Sequence, residues 1–164
     1  MKDLIVYVHG KGGSAGEAEH YKILFPNHEV IGFDYRSQTP WEAKKEFLEF
    51  FTVQRSRCEH LTLVANSIGA FFALSSLDET LVDRAYLISP IVDMEKLICN
   101  MMQWSGVTEQ ELALTSIETV SAFAKLHHAD LTVMPGGEHW FHTEEQMQFL
   151  DRWIRERSQN DVCR

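Results

Sequence analysis

Leu61-Thr-Leu-Val-Ala-Asn-Ser-Ile-Gly-Ala-Phe-Phe-Ala-Leu74 is the stretch of sequence that decides the fold. Its first half is a β-rich apolar run, which predicts a buried strand over 60–65. Small and apolar residues follow at once and predict a helix over 68–77. Because no spacer separates the two, the chain must turn sharply at Asn66-Ser67. A buried strand joined directly to a helix is typical of α/β folds with a parallel sheet.

The serine in this turn has small neighbours. The segment Ala65-Asn-Ser67-Ile-Gly69 reads A-x-S-x-G, and G-x-S-x-G marks a nucleophile elbow, a strand-to-helix turn that exposes a serine hydroxyl. The backbone at such a serine is strained, so the residues two positions away must not crowd it. Alanine is the smallest departure from glycine, and the segment therefore predicts an elbow with Ser67 at its tip. The alternative is a buried strand followed by a helix whose first turn holds an ordinary serine.

Strands and helices alternate along the whole chain. Short β-rich apolar runs predict strands over 4–8, 28–34, 60–65, 84–89 and 130–134. Helical periodicity predicts helices over 17–24, 41–57, 68–77, 93–112, 117–127 and 143–157. The buried sides of two of these helices are expected at Phe47, Phe50, Phe51 and Val53, and at Met147, Leu150, Trp153 and Ile154. The alternation indicates a three-layer α/β sandwich with a mostly parallel sheet, whose sites gather at the carboxyl ends of the strands.

The composition sets broad limits on function. A chain of 164 residues fits a single domain over 1–164. Its formal net charge of −9 argues against nucleic acid as a partner, because nucleic-acid binding needs a cationic surface. No stretch reaches the apolar length of a membrane span, and the N-terminus lacks a signal-peptide pattern, so no membrane association and a cytoplasmic location are expected. Cys58, Cys99 and Cys163 are odd in number and widely spaced, which argues against disulfides and a structural zinc site.

A histidine follows the last predicted strand. His139 lies in the glycine-containing loop Pro135-Gly-Gly-Glu-His-Trp-Phe141, where it could lie beside Ser67 and take the serine proton as general base. Acyl transfer also needs two backbone N–H donors aimed at the developing oxyanion. Ile68 would supply one, and Lys11, in the loop after the first strand, would supply the other. The alternatives are a surface histidine and a tight turn that uses glycine for its dihedral angles alone.

With His9-Gly10, the Ala65-Asn-Ser67-Ile-Gly69 elbow and Gly136-Gly-Glu-His139 in this order, the chain resembles the α/β-hydrolase superfamily, in particular its small single-domain serine hydrolases and esterases. The resemblance covers nearly the whole chain in element order. It implies Ser67 as nucleophile, His139 as general base, and Lys11 and Ile68 as the oxyanion hole.

The resemblance also implies a class of reaction. The expected reaction is cleavage of an ester, thioester or related acyl bond in a small-molecule substrate. No metal or organic cofactor is expected. A helical cap segment is expected at about 93–113, and the sequence does not indicate an oligomeric state.

The chain departs from the family pattern at the catalytic acid. Family members usually place this acid after a further strand, but Glu111-Leu-Ala-Leu-Thr-Ser116 contains neither an apolar strand nor an aspartate. Either the protein lacks this strand, or the segment was lost from the sequence. Asp93, after the fourth strand, is the substitute candidate, since some members carry their acid there, although aspartates before helices commonly act as caps. Asp34 and Glu138 are weaker candidates, and a dyad without an acid is the remaining possibility.

Other functions fit parts of the sequence. Gly10, Gly12 and Gly16 after a first strand, with Asp34 ending the second, resemble a dinucleotide-binding fingerprint of a Rossmann-like protein, although the spacing is not G-x-G-x-x-G. The histidines at 127, 128, 139 and 142 offer metal ligands but match no strong motif. A catalytically impaired hydrolase fold that serves as a binding module is the non-enzymatic alternative.

Overall fold

The computed structural model describes residues 3–92, 117–139 and 141–159. The described strands are β1 (Leu4–Val8), β2 (Glu29–Phe33), β3 (Leu61–Asn66) and β4 (Arg84–Ile88). The described helices are α1 (Ala18–Lys22), α2 (Pro40–Arg55), α3 (Ile68–Ser76), α4 (Ile117–Leu126) and α5 (Glu144–Gln159), and a 3-10 turn over Ala15–Glu17 precedes α1. These bounds agree with the predicted elements to within a few residues, apart from the predicted strand over 130–134.

The four strands form one parallel sheet in the order β2-β1-β3-β4. Val8 at the end of β1 is in register with Phe33 on one side and with Ala65 on the other. Because all four strands run the same way, their carboxyl ends lie along one edge of the sheet. The loops after β1, β3 and β4 therefore meet at this edge, as the α/β pattern predicts.

Both faces of the sheet are buried. In β1, Leu4, Val6 and Val8 pack with α2 and α3, whereas Ile5 and Tyr7 pack with α1 and α5. Successive side chains of a strand point to opposite faces, so a strand that is apolar at every position needs a helical layer on each side. This confirms the predicted three-layer α/β sandwich with a parallel sheet.

An aromatic cluster fills the layer between the sheet and α2. The rings of Phe47 and Phe51 are fully buried and pack edge-on against Phe33, with ring centroids 5.0 and 6.0 Å away. Phe50 is half-buried and stacks on Phe33 at 3.9 Å. The expectation for Val53 was wrong, because its side chain is 45% exposed. Two residues beyond Phe51 correspond to a rotation of about 200° around the helix, which carries Val53 to the solvent side.

The C-terminal helix packs as predicted. Leu150 and Ile154 of α5 are buried against the sheet, and Met147 and Trp153 flank them half-buried. None of the helices described over 3–92, 117–139 and 141–159 is long and apolar enough to cross a membrane.

The predicted strand over 130–134 is absent from the sheet. These residues have no regular secondary structure, and Leu131 and Val133 are 41% and 53% exposed. A cavity of about 1030 Å³, lined by β4 and by 128–134, lies between this segment and β4. β-propensity needs a neighbouring strand to take effect, and this segment pairs with none of the four described strands. The predicted helix over 93–112 and the cap segment at about 93–113 lie outside the described residues.

The aromatic cluster yields a test of the core. We expect Phe47→Ala to lower the free energy of unfolding by about 3–5 kcal/mol, because the substitution leaves a cavity among rings that cannot fully collapse into it. Val53→Ala, on the same helix but exposed, should change it by less than about 0.5 kcal/mol. Urea denaturation of both variants measures the difference. Similar values for the two would contradict the described orientation of α2.

Candidate active site

Ser67 occupies the turn between β3 and α3. It is the N-cap residue of α3, with φ 53° and ψ −119°, a conformation that residues other than glycine rarely adopt. Its N–H donates to the Ile88 carbonyl oxygen at 2.9 Å, which fixes the turn to the end of β4. The residue is 9% exposed. A strained serine held at a strand-to-helix turn is the local geometry that the A-x-S-x-G segment predicts.

The small neighbours of Ser67 have a steric cause. A Cβ atom added to Gly69 would lie 2.3 Å from the His9 carbonyl oxygen and 2.9 Å from a methyl group of Val8. No side chain fits between the first turn of α3 and the end of β1. On the other side, Ala65 is fully buried in the layer shared with α2 and α3, so its methyl group occupies core space there. The departure from glycine at this position is therefore accommodated.

His139 lies beside the serine. Its Nε2 is 2.7 Å from Ser67 Oγ, although 72 residues separate the two in sequence. A turn in which the Gly137 N–H donates to the Met134 carbonyl oxygen at 3.1 Å leads into the histidine. The structure thus brings together the two residues that the sequence singled out as nucleophile and base.

The loop after β1 packs on the other side of the serine. Lys11 and Gly12 are the central residues of a turn closed by a bond from the Gly13 N–H to the Gly10 carbonyl oxygen at 3.2 Å, with Gly12 at φ 75°. A Cβ atom on Gly10 would lie 3.3 Å from Ser67 Cβ, so the backbone of this loop touches the serine. Ile68 is the first residue of α3, and its N–H has no acceptor inside the helix. The two residues proposed as oxyanion donors therefore flank Ser67, one in the turn after β1 and one at the start of α3.

Two side chains to which the sequence assigned no role hold this loop. His9 Nδ1 donates to the Gly10 carbonyl oxygen at 2.8 Å, since a carbonyl can only accept, and the His9 ring stacks on Tyr35 at 4.4 Å. The Tyr35 hydroxyl donates to the His9 carbonyl oxygen at 2.9 Å. Burial, followed by the charges of Glu46 and Glu17, raises the pKa of the Tyr35 phenol and keeps it a donor. The sequence alone does not indicate that the end of β1 contacts a residue that follows β2.

The structure does not join either of the weaker acid candidates to His139. The Glu138 carboxylate lies 3.3 Å from His142 Nδ1 in an exposed pair. Asp34 follows β2, and β1 lies between β2 and β3, so roughly two interstrand spacings, or about 10 Å, separate its strand from the strand that leads into Ser67. Asp93 lies outside the described residues.

The cavity beside β4 reaches the histidine. Its lining includes His139 and Ser89, and its walls are largely apolar, with contributions from Tyr86, Ile88, Phe123, Phe149 and Trp153. Within the parts of the chain that the structure describes, no three or more His, Cys, Asp or Glu side chains come together in a way that could hold a metal ion.

Comparisons with known proteins agree with this geometry at the level of the fold. No family model matches the chain. Among curated proteins, it is 26% identical over 89 residues to "Putative esterase/lipase 3" of Mycoplasma genitalium, a match that covers 52% of this chain but only 30% of the length of that protein. Among solved structures, a carboxylesterase from Mesorhizobium loti aligns with a TM-score of 0.65 and 13% identity over 94% of this chain and 88% of its own. The chain therefore has the α/β-hydrolase fold that the resemblance in the sequence implies.

The contact at Gly69 yields a stability test. We expect Gly69→Ala to lower the free energy of unfolding by about 1–3 kcal/mol or more, because the added methyl group would overlap the His9 carbonyl oxygen and force α3 away from β1. Gly16→Ala is the control, since the nearest atom to its added Cβ would be Ser14 Oγ at 3.4 Å, an ordinary contact. Chemical denaturation compares the two variants. Equal stabilities would show that α3 does not approach β1 as closely as described.

Proposed function

We propose that this protein is a serine hydrolase that cleaves an ester, thioester or related acyl bond of a small-molecule substrate through an acyl-enzyme on Ser67. The observation that carries the proposal is the distance of 2.7 Å between Ser67 Oγ and His139 Nε2 at the carboxyl edge of a parallel sheet. The α/β-hydrolase fold and the name of the curated relative support the same class of reaction.

The chemistry follows from the placement of the groups. His139 Nε2 takes the proton of the Ser67 hydroxyl as the oxygen attacks the substrate carbonyl carbon, and the negative charge moves to the carbonyl oxygen. The N–H groups of Ile68 and Lys11 stabilise that oxyanion. The tetrahedral intermediate then collapses, and the leaving group departs with the proton from His139. Water repeats the sequence on the acyl-enzyme, releases the acid and restores the serine. No metal or organic cofactor is required at any step.

The cavity beside β4 is the proposed pocket for the acyl group. It adjoins His139, and aromatic and aliphatic side chains dominate its wall. Ligand pockets of this kind bind apolar groups through buried area, and a few polar groups fix the orientation.

The pairing of serine and histidine predicts selective covalent labelling. We expect a fluorophosphonate probe to add one phosphonyl group to Ser67, because only an activated serine attacks the phosphorus at a useful rate. Ser67→Ala should abolish the labelling, and His139→Ala should slow it by at least about 100-fold through loss of the general base. Intact-mass spectrometry of the labelled protein measures both effects.

Two matched variants control for damage to the fold. Ser75→Ala removes an exposed hydroxyl from the same helix, and His142→Ala removes an exposed imidazole from the same loop. Both should label at the rate of the wild type. A folded wild-type protein that ignores the probe would favour the impaired hydrolase or a binding module instead.

Asp93 is the proposed acid, and a single substitution can distinguish this role from helix capping. Asn and Asp cap helices about equally well, so Asp93→Asn should leave stability nearly unchanged. Loss of the acid should nevertheless lower kcat for an ester by up to about 10⁴-fold, because the histidine tautomer is no longer held. Ester turnover and thermal melting of this variant make the test, with Asp34→Asn as the control. Unchanged turnover would remove Asp93 from the mechanism.

A further inference from the structure

Two side chains outside the catalytic pair connect the turn after β1 to the buried sheet. They are Tyr7 and Glu17, and neither has a role in the mechanism above. Tyr7 lies on β1, and Glu17 ends the 3-10 turn before α1. Their hydrogen bonds run in series from the sheet to the backbone that follows the turn.

Tyr7 is the buried end of the series. Its side chain is 1% exposed, and its ring stacks on Tyr21 with centroids 4.9 Å apart. Its hydroxyl donates to Glu17 Oε2 at 2.5 Å. Burial first, then the neighbouring Tyr21 and Glu17, raises the pKa of this phenol far above its usual range. The phenol therefore keeps its proton and can donate it to Glu17.

Glu17 carries the connection into the turn. Its second oxygen, Oε1, accepts the backbone N–H of Ser14 at 3.0 Å. The carboxylate also lies directly against the turn, since a Cβ atom added to Gly13 would be 2.6 Å from Oε1. The Gly13 N–H in turn closes the bond to the Gly10 carbonyl oxygen. One carboxylate thus ties the far end of the turn that contains Lys11 to the buried hydroxyl of Tyr7.

The near end of the turn lies against the serine itself. A Cβ atom added to Gly10 would lie 3.3 Å from Ser67 Cβ. The turn therefore lies between Glu17 at its far end and Ser67 at its near end.

We propose that Tyr7 and Glu17 form a positioning relay that fixes the Gly10–Gly13 turn against Ser67, so that the Lys11 N–H stays aligned with the developing oxyanion. The inference rests on the proposed function for its catalytic consequence, but the fixing of the turn is independent of it. The two residues act through the backbone and do not touch the reacting atoms.

The catalytic consequence appears as a change in kcat. Removing an oxyanion donor lowers kcat by about 10²–10³-fold, and a misplaced donor should lose part of that. We expect Tyr7→Phe and Glu17→Ala each to lower kcat for an ester about 10- to 100-fold, with KM changed less than about twofold, because the interaction strengthens only in the transition state. Two controls should stay within twofold of wild type: Tyr21→Phe removes a hydroxyl from the same ring stack, and Glu19→Ala removes an exposed carboxylate beside Glu17.

Hydrogen exchange of the backbone amides tests the positioning itself. In Glu17→Ala and Tyr7→Phe, the amides of Gly13 and Ser14 should exchange at least about tenfold faster than in wild type, while those of the β3 core stay unchanged. Should Tyr7→Phe fail to fold, Glu17→Ala decides alone, since Glu17 is exposed. Unchanged exchange in the variants overturns the relay. Faster exchange with unchanged kcat in an active enzyme overturns its catalytic role. A wild type that neither labels nor turns over contradicts the proposed function, and exchange alone then decides whether the relay exists.

Discussion

The arrangement of the site depends on one close backbone approach, that of Gly69 to the carbonyl oxygen of His9. With only a hydrogen in place of Cβ, the first turn of α3 sits directly on the end of β1, where any methyl group would overlap that oxygen. Because α3 starts immediately after Ser67, this approach determines where the serine lies relative to the loop after β1. The N-terminus of α3 and the Gly10–Gly13 turn thereby become two walls of one small space, and Ser67 lies between them.

The parallel sheet supplies the other condition. Since Val8, Ala65 and Leu87 are in register, the three strands end at the same level, and the loops that follow them have no room to diverge. Helices cover both faces of the sheet, and every position of β1 is buried. A loop histidine that arrives after α4 meets the serine there without needing a strand of its own. This explains how the Ser67–His139 contact forms although residues 130–134 remain outside the sheet.

The sequence predicted the parts of the structure that depend on local pattern. The apolar runs of β1 and β3 and the periodicity of α5 determine strands, helices and buried faces through neighbours a few residues away. The prediction that Val53 is buried was wrong because it inferred burial from an apolar residue type. The position of Val53 around α2 directs its side chain away from that of Phe51. The prediction of a strand over 130–134 was wrong because a strand needs a neighbouring strand to pair with, and no local sequence pattern specifies that neighbour. The Tyr7–Glu17 contact left no signal at all, since any tyrosine in a buried strand fits the pattern equally well.

The distribution of backbone strain connects these observations. Four described residues other than glycine have positive φ angles, namely Ser67, Ser89, His128 and Phe141, and a residue in such a region costs of order 1–3 kcal/mol. Ser67 and Ser89 directly follow strands at the carboxyl edge, and His128 lies just beyond the end of α4. Phe141 closes the His139 loop through a bond from its N–H to the Glu138 carbonyl oxygen at 3.3 Å. Strain of this size persists only where the surroundings fix the backbone more tightly than its own preference. At Ser67 those surroundings are the bond to Ile88, the contact at Gly69 and the turn held by Glu17. The packing of the buried sheet therefore stabilises unfavourable backbone conformations along the edge that carries the candidate site. This is expected of a site whose geometry must be in place before the substrate binds.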